Sequence, residues 1–165
     1  MARRSETCIC RYKHCLHGEN RTLLKTDAVK VGGRYFHQDC YEDKKTIDEL
    51  VDYYRKEINS DAVYTDLMRS INNLVYPEDK EGISPERLLF QVKYYCTHGH
   101  MIQYPGGLHY AVQDREAFKA YEKYKDKQRI SNYDFSVNEE NTTFNNPQKV
   151  VRIQKQKNFE DILGG

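Results

Sequence analysis

The residues best suited to hold a metal are the five cysteines and six histidines, and they are unevenly spread. Cys8, Cys10, Cys15 and Cys40, with His14, His17 and His37, all fall within CICRYKHCLHGENRTLLKTDAVKVGGRYFHQDC. They form a Cys-rich cluster and a His37-x-x-Cys40 pair, with 21 residues between Cys15 and His37. Structural zinc takes four thiolate or imidazole ligands in a tetrahedron, drawn as closely spaced pairs. Cys10-x4-Cys15 lies at the long end of the gap a single turn spans. If a helix starts at His37, Cys40 at i+3 shares its face. The expected ligands are therefore Cys10, Cys15, His37 and Cys40. Cys8 is an alternative to Cys10, as a looser clamp, and His17 can displace either cysteine of the first pair.

Positioning these ligands requires a turn, a hairpin and a helix. In VKVGGRYF, Val29 and Val31 alternate, Gly32-Gly33 supplies the positive φ angles of a two-residue turn, and Tyr35-Phe36 favour a strand. A knuckle, a hairpin and a helix carrying the last two ligands resemble a treble-clef zinc finger. The pattern is similar to one half of a LIM domain: two cysteines, a spacer ending in a glycine turn and an aromatic, then His-x-x-Cys. The four-residue gap departs from the two residues of LIM-type fingers.

Beyond Cys40 the pattern is helical. Ile47, Leu50, Val51, Tyr54 and Ile58 make one apolar stripe, on a helix expected to continue from the ligand pair. Ser60 or Asp61 is the expected cap of a second helix, with Val63, Leu67, Ile71 and Leu74 inward and Pro77 as its stop. Ser84-Pro85-Glu86 opens a third, with Leu88, Leu89, Val92 and Cys96 on its buried face. His98-Gly99-His100 reads as its terminating turn. Pro105-Gly106-Gly107 leads into a short helix, and Asp114 caps a last one with Phe118, Tyr121 and Ile130 inward. Residues 131–147 lose periodicity and read as a linker. In residues 148–165, Val151, Ile153, Phe159, Ile162 and Leu163 suit a docking tail for a partner protein.

The composition bounds the function. The 165 residues carry a formal net charge of +1, so no strong field surrounds the molecule. The odd cysteine count and the absence of an apolar leader or an 18-residue apolar run point away from a secreted disulfide scaffold or a membrane span. A soluble protein of a reducing compartment, the cytoplasm, is expected. Residues 1–45 hold 10 Lys/Arg against 6 Asp/Glu, so the finger is mildly basic. Arg11, Lys13 and Arg34 there, and Lys119, Lys123 and Lys127 on the last helix, are the candidates for phosphate contacts. No paired carboxylates, phosphate loop or nucleophile elbow appears, and a four-ligand zinc leaves no open position for water, so no enzymatic activity is expected.

The finger with VGGRYFHQDCY, followed by SPERLLFQVKYY, YPGGLHYAVQD and a terminal NFEDILG, resembles small proteins encoded by phages and prophages of Gram-positive bacteria. That resemblance implies a setting, not an activity. The expected architecture is mainly α: a treble-clef-like zinc finger (1–45) fused to a helical domain (46–130), then the linker and tail. The expected role is binding. A nucleic-acid-binding accessory factor in replication or transcription comes first, then a factor capturing a host enzyme or defence protein. A treble-clef nuclease is the third possibility.

Overall fold

In the computed structural model, which describes residues 6–78 and 81–131, two small hairpin sheets precede a set of helices. Strand β1 (Thr7–Ile9) pairs antiparallel with β2 (Thr22–Leu24), and β3 (Val29–Val31) with β4 (Arg34–Phe36). Gly32 and Gly33 have φ of 54° and 76°, the two positive values a tight hairpin turn needs. The hairpins are stitched together at one place. Cys10 bridges to Tyr35, and the Arg11 amide donates to the Tyr35 carbonyl at 2.9 Å.

Helix α1 (Gln38–Tyr53) begins directly after β4, with His37 as its extended N-cap residue. Ile47, Leu50 and Val51 are its buried stripe in the helical core. It runs into a π-type turn, Tyr54–Ile58, closed by the Asn59 amide on the Tyr54 carbonyl at 2.8 Å. The Tyr54 ring is fully buried, yet its hydroxyl has no hydrogen-bond partner among the described residues.

Helix α2 (Tyr64–Val75) starts later than the Ser60 or Asp61 cap would give. The Asn59 side chain instead accepts the Asp61 amide at 3.0 Å, which forms a turn and leaves Val63 as an N-cap without side-chain help. Val63 is therefore exposed rather than inward, while Leu67 and Ile71 are fully buried. Helix α3 (Pro85–Thr97) starts as its sequence demands, with the Ser84 hydroxyl accepting the Arg87 amide and Pro85 in the first turn. Gly99, at φ 84°, follows its end.

A 3₁₀ turn (Pro105–Gly107) leads into α4 (Leu108–Gln113), and the Asp114 carboxylate accepts the Ala117 amide to start α5 (Arg115–Ser131). That cap sets the phase of α5 so that Ala117 and Tyr121 face inward. Phe118 and Ile130, expected inside, are on the surface. Phe118 lies under the Arg87 guanidinium, 4.6 Å from the ring centre.

Two apolar clusters result. The larger joins Leu50, Tyr54, Leu67, Ile71, Leu88, Val92 and Leu108, each aliphatic side chain contributing about 1.5–3 kcal/mol on burial. The smaller contains Cys10, Tyr12, Phe36 and Cys40, and Tyr76 packs against both. The described residues all fall within one compact unit of the chain. None of their helices is long and apolar enough to cross a membrane. Arg3 and Arg4, the linker beyond Ser131, and the proposed tail with Val151, Ile153, Phe159, Ile162 and Leu163 lie outside the described residues.

Candidate metal centre

Four side chains from three separate pieces of the finger converge. Cys10 follows β1, and its amide donates to the Arg21 carbonyl at 2.8 Å, which fixes the strand exit. Cys15 sits at the start of a turn in which the Gly18 amide bonds back to its carbonyl at 3.2 Å. His37 and Cys40 come from the cap and first turn of α1. The ligand atoms of all four lie within 4.8 Å of one another.

The spacing fits a tetrahedral ion. Metal–sulfur bonds near 2.3 Å and metal–nitrogen bonds near 2.0–2.1 Å imply edges of about 3.8 Å (S to S) and about 3.6 Å (S to N). Cys15 Sγ lies 3.9 Å from Cys40 Sγ. His37 Nδ1 lies 3.6 Å from Cys15 Sγ and 3.8 Å from Cys40 Sγ. Nδ1 is therefore the imidazole atom that faces the site. Cys10 and Cys40 are buried, and the Leu16 amide points at Cys40 Sγ from 3.4 Å, a donor suited to a thiolate.

The other candidate ligands are engaged elsewhere. Cys8 Sγ contacts the Leu23 carbonyl at 3.6 Å and lies outside the group of four. His14 stacks flat on Tyr76 at 4.2 Å, on the side where the finger meets α2. His17, with His37, Asp39 and Cys40, forms a second, overlapping group. Its Nε2 pairs with Asp39 at 2.9 Å, and its ring lies 3.9 Å from that of His37. His17 and Asp39 are exposed and satisfy each other, so they shield the rim, whereas the thiol-rich set has the buried donors.

Burial pushes the Cys40 thiol up to about 12, helped by the Cys15 thiol and opposed by the Leu16 amide. A metal must displace that proton. Burial and the neighbouring His17 lower His37, against the pull of Asp39, so its imidazole is neutral and free to donate a lone pair at pH 7. For Asp39, burial favours the acid, but the Cys40 amide and His17 outweigh it and hold the carboxyl below its usual range.

Of the expected phosphate-binding residues, the structure brings Arg11 and Arg34 together. With Lys25 they line an open cleft of about 870 Å³ between the two hairpins, walled by Thr7, Thr22 and Tyr35, with no carboxylate among its described lining residues. Neither arginine forms an ion pair among the described residues. Lys13 lines an adjoining groove that also touches both arginines. Lys119, Lys123 and Lys127 lie on α5 and contribute to neither concavity, and Lys119 is paired with Glu116 at 3.0 Å. The sequence reading assigned α2 only a buried stripe. It missed Tyr64, Met68, Asn72 and Tyr76, which recur every four residues and line a concavity beside the finger. That period was the available signal.

No protein-family model, curated protein or solved structure matches the chain.

Proposed function

We propose that Cys10, Cys15, His37 and Cys40 hold one structural zinc ion in a treble-clef-type finger, and that the protein acts by binding nucleic acid, without catalysis. Three thiolates and an imidazole on a tetrahedron favour zinc over harder divalent ions, and four protein ligands leave no position for a reactive water. The observation that carries the binding function is the cleft lined by Arg11, Lys25 and Arg34, in which neither arginine has an ion-pair partner among the described residues. Phosphate groups suit it, and the Thr7 and Thr22 hydroxyls in its wall suit phosphate oxygens.

The test is binding of labelled oligonucleotides across a salt series. Three phosphate contacts predict an affinity loss of roughly 20- to 40-fold between 50 and 200 mM salt, and Arg34→Ala should flatten the slope by about one contact. A second reading, capture of a partner protein, draws on Leu16, Leu24 and Val31, which are apolar and exposed on the finger. That interface would be nearly insensitive to salt, and no oligonucleotide would bind.

A further inference from the structure

We propose that the nucleic acid taken by this protein is single-stranded, and that the strand runs from the hairpin cleft across the junction of the finger with α2, where its bases stack. This rests on the nucleic-acid reading above and specifies its ligand. The basic cleft does not end at the finger. A groove of about 420 Å³ shares Arg11 and Arg34 with it, and shares Lys13, His14, Tyr64, Met68 and Asn72 with a further concavity of about 860 Å³ on α2. The three form one track through common walls.

The chemistry changes along that track in a way duplex DNA cannot use. Cations dominate at the hairpins. At α2 the surface becomes aromatic and amide-bearing. Tyr64 is 54% exposed and makes no ring contact among the described residues. Nearby, His14 and Tyr76 form a preassembled flat stack, braced by the 2.7 Å bond between the Tyr12 and Tyr76 hydroxyls. Asn72 and Asn73 lie in the same wall and can both donate to and accept from the Watson–Crick edge of an unpaired base. In a duplex the base faces are already stacked and these edges already paired. A single strand offers both, and stacking on aromatic side chains is how such strands are held. Among the described residues, two carboxylates lie on the track. Asp48 is paired with Lys44, and Glu78 is at the end away from the arginines.

The experiment is fluorescence anisotropy of the full, zinc-loaded chain with dye-labelled oligonucleotides of one length: single-stranded DNA, single-stranded RNA and duplex DNA. The expected result is preference for a single strand over duplex by at least about tenfold, with the DNA and RNA arms showing which sugar is preferred. Tyr64→Ala should weaken single-strand binding roughly 5- to 100-fold, with duplex binding and melting temperature unchanged, while Tyr64→Phe keeps the affinity. In a second measurement, bromouracil-substituted strands should photocrosslink to Tyr64 or His14. Equal, salt-dependent binding of single strand and duplex, indifferent to Tyr64→Ala, would overturn the strand assignment and leave the nucleic-acid reading standing. Absence of salt-dependent binding in all three arms would remove both.

Discussion

Replacing Cys10 or Cys8 by serine, one at a time, tests the ligand assignment where the sequence left it open. Cys10 Sγ lies within 4.8 Å of three other ligand atoms, and the residue is 1% exposed. Cys8 Sγ makes one long contact, to the Leu23 carbonyl at 3.6 Å. Metal that binds only the folded state, held at 1,000 times its dissociation constant, stabilises by about 4.1 kcal/mol. A ligand loss that weakens binding about a thousandfold removes most of that. For a unit of this length about 3–4 °C of melting temperature goes with each kcal/mol, so Cys10→Ser should lower it by roughly 12–16 °C. Cys8→Ser forfeits a weak sulfur contact and should shift it by no more than about 3 °C. The assay is zinc content by elemental mass spectrometry beside thermal melts with and without chelator. Because α1 carries Cys40 and also the core residues Ile47, Leu50 and Val51, metal loss should move one cooperative transition rather than split off a small one. A Cys10→Ser protein that keeps its zinc and melts within about 3 °C of wild type would refute the assignment, as would loss of zinc from Cys8→Ser.

The remaining expectations bear on the same frame. Zinc must displace the proton from a Cys40 thiol that burial holds near 12, so affinity should fall as pH falls. Acidification from pH 7.5 to 5.5 in the presence of a metal indicator should show release accompanied by proton uptake, and pH-independent retention would contradict it. Tyr54→Phe removes a buried hydroxyl that has no partner among the described residues, so melting should rise or hold, by up to about 1–3 kcal/mol; a clear drop would mean the hydroxyl is satisfied. A double-mutant cycle on Tyr12→Phe and Tyr76→Phe should return about 1 kcal/mol of coupling across the finger–helix contact, and additive effects would show that the 2.7 Å bond contributes nothing.

What could be read from sequence was whatever a short stretch decides by itself. Gly32-Gly33, Ser84-Pro85 and Asp114 each act within a few residues, and each makes the turn or cap expected of it. The four proposed ligands meet because thiol and imidazole spacing is itself a local code. What was misread depends on which neighbour covers a surface. Val63 turns outward because Asn59 takes the Asp61 amide. Phe118 lies outside because the Asp114 cap puts Ala117 and Tyr121 in phase with the core. The pairing of Thr7–Ile9 with Thr22–Leu24 joins residues on either side of the Cys15 turn, and three-residue strands carry too little alternation to announce it. The stripe through Tyr64 and Asn72 could be counted, but only the docked finger gives that face a wall.

On the proposed reading, the metal and the basic cleft would be two parts of one device, linked mechanically rather than by charge. With zinc bound, three thiolates and a neutral imidazole leave the centre with one net negative charge, which repels phosphate. Its contribution must be to shape. Cys10, a proposed ligand, is the residue before Arg11, and it bridges to Tyr35, the residue after Arg34. Anchoring Cys10 to Cys40 and His37 at the head of α1 therefore fixes the one junction at which the two hairpins meet. That junction brings Arg11 and Arg34 to the lining of one cleft. Without the ion, three-residue strands with one bridge between them have little to hold that spacing, since so short a ribbon is marginal by itself. Loss of metal should therefore abolish strand binding even though no ligand touches the strand, and Cys10→Ser should lose affinity as Arg11→Ala does while retaining every positive charge.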